Sequence, residues 1–264
     1  MKTKCVILTS LTALSGILQQ GHASIDLGTA GGFAVLGASA VTSTGNTVLN
    51  GNLGLYPGFS ITGFGPGVVN GTTFDGGPVA QQAQADALAA YNTLSSLPLT
   101  QNLTGQDLGG LTLTPGVYHF STSAQLTGAL TLDALGNPNA QFVIQIGSTL
   151  TTAASASMVL EGGAQADNVF WQVGTSATVG TASVLYGAIV ADASITLNAG
   201  ADLTGNALAL NGAVSLDDNT IEAVPEADPL GTLAIFAAMF GTTALLGRFR
   251  RKTTSSLENG GNAV

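Results

Sequence analysis

The chain has 264 residues, 45% of them hydrophobic, and a formal net charge of −9. Its six Lys and Arg residues are Lys2, Lys4, Arg248, Arg250, Arg251 and Lys252, so residues 5–247 carry no permanent cation. Nucleic acids are held by cations on their phosphates and phosphoryl transfer uses Lys or Arg, so no nucleic-acid or nucleotide partner is expected, and an anionic polysaccharide would be repelled.

In chain order, the first element is "MKTKCVILTSLTALSGILQQGHAS". Two lysines, an apolar run from Cys5 to Leu18 and small residues at Gly21 and Ala23 have the layout of a secretory signal peptide over residues 1–23, cleaved after Ala23. The single cysteine, Cys5, leaves with it, so the exported body has neither disulfides nor thiol chemistry. The body, residues 24–222, reads as one domain rich in Gly, Thr, Ala, Asn and Ser. Short alternating aliphatic runs and "NG" turns at 50, 70 and 211 predict short strands.

One stretch breaks that pattern. From Gly76 to Pro98, residues Ala80, Ala83, Ala87, Tyr91 and Leu94 fall at helical spacing, with Pro78 suited to the first turn and Pro98 to the stop. The alanine stripe predicts a long helix packed closely against a flat surface.

Beyond the helix a triplet of hydroxyl, aliphatic and small or polar residue recurs with its first member at 112, 131, 149, 178, 196 and 215, in steps of 19, 18, 29, 18 and 19. A period of that size suits a solenoid coil of three short strands with turns between them. Strand alternation then puts Leu113, Leu132, Leu150, Val179, Leu197 and Leu216 in one stacked core column and ranks the threonines on one outer face. Thr149, Thr151, Thr178, Thr196 and Asn198 are the candidate surface residues.

The C-terminal element, residues 223–252, places an uncharged run from Pro229 to Gly247 directly before four cations in five residues. That is the length and flank of a short membrane span with a cytoplasmic basic end. The segment resembles the bacterial PEP-CTERM sorting tail through Val224, Pro225 and Glu226, although Ala227 stands where the tail has a second proline. A polar stretch, residues 253–264, follows.

Sites for chemistry are sparse. The body holds one histidine, His119, and carboxylates scattered singly apart from Asp217-Asp218. No G-x-S-x-G elbow, zinc set or calcium-loop spacing is present. A glycosidase pair could draw only on Asp133, Asp217 and Asp218. No cofactor, no metal site and no enzyme activity are expected.

Three stretches carry a family resemblance: 33–58, 113–153 and 163–221, with "NVFWQVG" and "ALNGAVSLDDNTI" the most specific. They resemble the DUF3494 ice-binding proteins of microbes. The resemblance implies an all-β fold: an irregular right-handed β-solenoid of triangular section with one long α-helix along its axis. It also implies adsorption to ice through a flat Thr-rich face, and short Thr-Ala/Gly-x-Thr/Asn motifs on that face. Thr152-Ala153-Ala154 and Thr181-Ala182-Ser183 match that motif in part, which adds Thr152 and Thr181 to the candidates. The expected partner is the ice/water lattice, with a membrane at the C-terminal segment, and the expected state is a secreted or cell-surface monomer. A cell-surface adhesive solenoid binding a glycan or matrix polymer is the alternative reading; it would need a groove with aromatics and carboxylates where ice needs an unbroken flat face.

Overall fold

In the computed structural model, which describes residues 25–224, the chain winds as a triangular solenoid of short parallel strands forming three sheets of nine, seven and eight strands. Each coil contributes a strand to face a, then face b, then face c. One coil, for example, runs Ala188–Ala191, Ile195–Leu197 and Asp202–Thr204. Strand residues alternate between an inner core and the outside, and the core is aliphatic and aromatic along the whole axis, with Phe142, Trp171 and Ile189 fully buried. Buried parallel ladders of this kind satisfy their backbone groups between coils, and no disulfide is needed.

The coils do not stack in chain order. The first coil, Phe33–Gly37, Val41–Thr44 and Val48–Asn50, is followed outward by a second that ends at Thr73–Asp75. The chain then runs as helix α1, Gly77–Ser96, and the next strand, Gln101–Asn102, lies at the opposite edge of face a. From there the coils return toward the start. The last docks on the first on all three faces, through Val35↔Ala207, Thr42↔Ser215 and Leu49↔Ile221.

Helix α1 lies on the outside of face a. Ala80, Ala83, Ala87, Ala90 and Leu94 are buried there, as the spacing predicts, with Ala90 in the stripe and Tyr91 only partly covered. Methyl side chains let the helix approach Val143, Phe170, Ala188 and Leu208 of the sheet closely. Polar clasps fix its register. Gln84 Nε2 donates to the carbonyls of Gly37 (3.0 Å) and Ala209 (3.1 Å), and Gln145 Nε2 donates to those of Leu94 (2.7 Å) and Leu97 (3.0 Å) at the helix end. At its middle, Asp86 accepts from the N–H and hydroxyl of Thr29.

The expected single column of triplets is corrected in two ways. Thr112 and Thr131 pair with each other on face c, whereas the triplets from Thr149 onward lie on face b. Within face b the triplet at 149 is offset by two: Thr178 stands opposite Thr151, and Leu150 opposite Ala177. The true coil steps on this face are 27 from Thr151 to Thr178, then 18 to Thr196 and 19 to Ser215. The long coil owes its extra residues to the connection between Ser157–Glu161 and Val169–Val173. Residues 1–24 and 225–264, and with them the signal peptide and the sorting tail, lie outside the described residues.

Candidate functional site

Face b is the one side of the solenoid whose outward side chains are small and almost all uncharged. Its middle row runs Gln125, Thr151, Thr178, Thr196, Ser215, Thr42, Thr62, each in register with the next. Six of these seven carry a hydroxyl. Rungs of a parallel ladder are about 4.8 Å apart, so the row is a regular file of hydroxyls along the axis.

Two residues before each member of that row lies a second outward row: Ser123, Thr149, Ser176, Ser194, Ala213, Ala40, Ser60. Two residues after lies a third, which ends one rung earlier: Thr127, Ala153, Gly180, Asn198, Asp217, Thr44. The rows are about 6.7 Å apart across the face. Inward residues between them, Val41, Leu150, Ala177, Ile195 and Val214, are buried and hold the sheet flat from below. At Gly180 an added Cβ would stand 2.4 Å from the Ala153 carbonyl oxygen, so the third row is low there.

Hydrogen bonding varies along the rows. Among the described residues, the hydroxyls of Thr151, Thr178 and Thr196 have no protein partner and are left to water. Thr149 donates to the Ser123 hydroxyl at 2.9 Å, and Thr42 to that of Ser215 at 3.3 Å. Beyond the third row the corner turns repeat a left-handed residue at stacked positions, Ser155, Ala182, Gly200, Asp218 and Gly45, with φ between 49° and 68°. This shared corner keeps successive rungs in line.

Charge is confined to the borders. Asp217 lies in the third row, its Oδ1 accepting from the Thr44 hydroxyl at 2.8 Å, and Asp218 caps the corner beside it. Asp107 bridges to Gln125 at the far end. Burial raises its pKa, but the backbone N–H groups of Thr127 and Gly109 and the Thr127 side chain outweigh that and hold the carboxyl below its usual range. Face c is different in kind: Asp133, Glu161, Asp202 and Glu222 project from it beside Val159 and Tyr186.

The predicted surface residues therefore divide. Thr149, Thr151, Thr178, Thr196 and Asn198 come together on face b. Thr181 is exposed at the corner between faces b and c. Thr152 is corrected: it is 4% exposed, points into the core, accepts from the Gly180 N–H at 2.8 Å and donates to the Ser183 hydroxyl at 3.4 Å. The two partial motifs are out of register, because Thr152 lies level with Val179 and Thr181 two residues further on. Sequence reasoning left out Thr42, Thr44, Thr62, Ser176, Ser194 and Ser215. The alternation in "VTST", 41–44, was the signal available for the first two.

His119 and Trp171 belong to the framework. His119 sits on face a in line with Gln145, and the Trp171 Nε1–H donates to the Tyr186 carbonyl at 3.0 Å. Among the described residues no group of His, Cys, Asp and Glu could hold a metal ion.

Comparison with known proteins agrees with this geometry. The family model described as Ice-binding-like matches residues 35–222. An ice-binding protein of Nostoc sp. (strain HG1) is 50% identical over 263 residues, covering 94% of this chain and 96% of its own length. The crystal structure of an ice-binding protein from the Antarctic ascomycete Antarctomyces psychrotrophicus superposes with a TM-score of 0.73 at 42% identity, over 75% of this chain and 97% of that one. An ice-binding protein from an Antarctic biological consortium gives 0.74 at 43% identity, over 83% and 96%. The long flat hydroxyl face is thus found on a chain that belongs to the ice-binding-like family.

Proposed function

We propose that this chain binds ice through face b and, by adsorbing, restrains ice growth or recrystallisation. The observation that carries the reading is the middle row, Thr151, Thr178, Thr196, Ser215, Thr42 and Thr62, in register across six coils. Each threonine offers a hydroxyl that bonds water and a methyl that does not. Repeated at fixed intervals on a rigid sheet, the pair holds surface water in an ordered layer that merges with the crystal. The single contact is weak, but the fold has already fixed every side chain's place, so little entropy is lost on binding and the contacts add along the face.

The scarcity of charge supports the same reading. A carboxylate or ammonium keeps its own hydration shell, and stripping it is costly; the two upper rows of face b hold none apart from Asp107 at the end. A sugar or matrix ligand is less well served, since Trp171 and Phe170 are buried and no aromatic lines face b. The protein acts by adsorption and not by bond chemistry. It works as an exported monomer, with residues 1–23 as its signal and residues 229–247 as a membrane-inserted tail. The test is direct observation of an ice crystal growing in a solution of the protein. Faceted or arrested growth is expected, and unhindered growth of a rounded disc at every concentration would overturn the reading.

A further inference from the structure

The end of the solenoid nearest the C-terminus is chemically distinct from the rest. Residues 27–74 contain no Asp, Glu, Lys or Arg, and they build the terminal coils at this end, where a single exposed carboxylate, Asp75, closes the edge strand Thr73–Asp75 of face a. At its tip Phe59 is 90% exposed and Val68 48% exposed, with Pro57 and Pro66 also exposed beside them. Exposed apolar side chains on a surface with so little charge mark a contact site.

The chain leaves the fold beside this tip. The last strand, Thr220–Glu222, pairs with Val48–Asn50, which pairs with Val68–Val69 at the edge, and Ala223 still donates to the Asn50 carbonyl. Two rungs therefore separate the exit from the end of the solenoid, about 10 Å. Only residues 225–228 lie between Val224 and the apolar run beginning at Pro229. Fully extended, four residues span about 14 Å.

We infer that the tip bearing Phe59 and Val68 rests on the lipid bilayer surface, with the solenoid standing end-on. The inference rests on the reading of residues 229–247 as membrane-inserted. If they enter the bilayer at Pro229, the short connection brings the end coil to the headgroups. Charge then selects the orientation. Lying on face c would press Asp202 and Glu222 against the lipid, with no cation among residues 5–247 to neutralise them. Standing on the tip brings only the Asp75 carboxylate, at the end of the edge strand of face a, near the lipid, and places the Phe59 ring at the interface, where aromatic side chains are favoured. The consequence for function is that face b stands along the membrane normal, open over its full length.

The test uses the full chain in phosphatidylcholine vesicles containing acyl-brominated lipid, which quenches indole at the interface. Phe59→Trp adds an indole at the tip, while the native Trp171 is buried inside the solenoid and supplies the unquenched background. Quenching and a blue shift are expected for Phe59→Trp and not for Thr204→Trp on face c. Vesicles that carry the protein but leave the Phe59→Trp indole unquenched would overturn the inference, as would quenching of Thr204→Trp. If the chain fails to float with the vesicles, the membrane reading falls and this inference with it, whereas ice shaping by the same sample tests face b separately.

Discussion

Replacing Thr178 with tyrosine should abolish ice binding without unfolding the protein. Thr178 is in the middle row, with Thr151 and Thr196 as its register partners. Those neighbours lie about 4.8 Å to either side. A gap of about 0.5–1 Å already forfeits a quarter to a half of a van der Waals contact. A tyrosine ring stands well clear of a threonine methyl, so a flat crystal resting on it loses contact with the rungs on both sides. The fold should hardly notice: the position is on the outer face, tyrosine is a good strand residue, and surface substitutions usually stay within about 0.5 kcal/mol. The assay is thermal hysteresis on single ice crystals, with circular dichroism melting on the same sample. Thr196→Tyr should behave alike. Variants that retain most of the wild-type hysteresis with unchanged melting would show that ice does not meet this face.

Other outcomes follow from neighbouring residues. Thr152→Ala leaves the buried Gly180 N–H without its acceptor and should cost about 1–2 kcal/mol in thermal stability, while ice activity per folded molecule is unchanged; loss of hysteresis at wild-type melting temperature would return Thr152 to the ice surface. Asp217→Asn keeps an acceptor for Thr44 and removes the charge within the third row, so hysteresis should rise; an equal or lower value would show that the carboxylate does not oppose adsorption. Burial raises the Asp86 pKa, but bonds from the Thr29 hydroxyl and N–H and from Gln82 outweigh it and hold the carboxyl below its ordinary value of 3.8. The stability this clasp contributes is present above that value and lost as pH falls through the lower folded one. Thr29→Ala should therefore melt earlier than wild type at neutral pH and lose less on acidification, as read from melting curves between neutral and strongly acidic pH; parallel curves would discount the clasp.

Much of the fold was legible because it rests on periodicity. The helix announces itself by Ala80, Ala83, Ala87 and Leu94, and the coils by hydroxyl-aliphatic alternation near an 18-residue spacing. What periodicity cannot supply is which face a strand belongs to, because all three strands of a coil share the same inward-outward rule. Thr112 and Thr131 fit the pattern as well as Thr178 and Thr196 yet stand on face c. Thr152 shows the complementary limit. A hydroxyl residue counted as polar is also small enough to replace an aliphatic in the core, provided its oxygen finds partners, which Gly180 and Ser183 supply. The corner sequence Thr152–Ser155 resembles a surface motif because its other members are exposed, and only the register shows that its first residue points inward.

The rung least visible in the sequence is the one on which the continuity of face b depends. Ser215 and Thr42 are 173 residues apart in the chain and adjacent in the middle row. Everything from Thr151 to Ser215 is built by coils that follow one another, whereas Thr42 and Thr62 are added when the first coil docks on the last. That pairing closes a loop of 173 residues in a chain of 264, among the largest loop-closure costs in the fold. Helix α1 reduces the problem by crossing the length of face a as one rigid element, so that the two halves of the solenoid are brought into register by the helix clasps rather than by a flexible linker. Gln84, bonded to Gly37 of the first coil and Ala209 of the last, sits directly over the seam. The flatness of face b across that seam is therefore a property of the helix on the opposite side of the solenoid as much as of the threonines themselves.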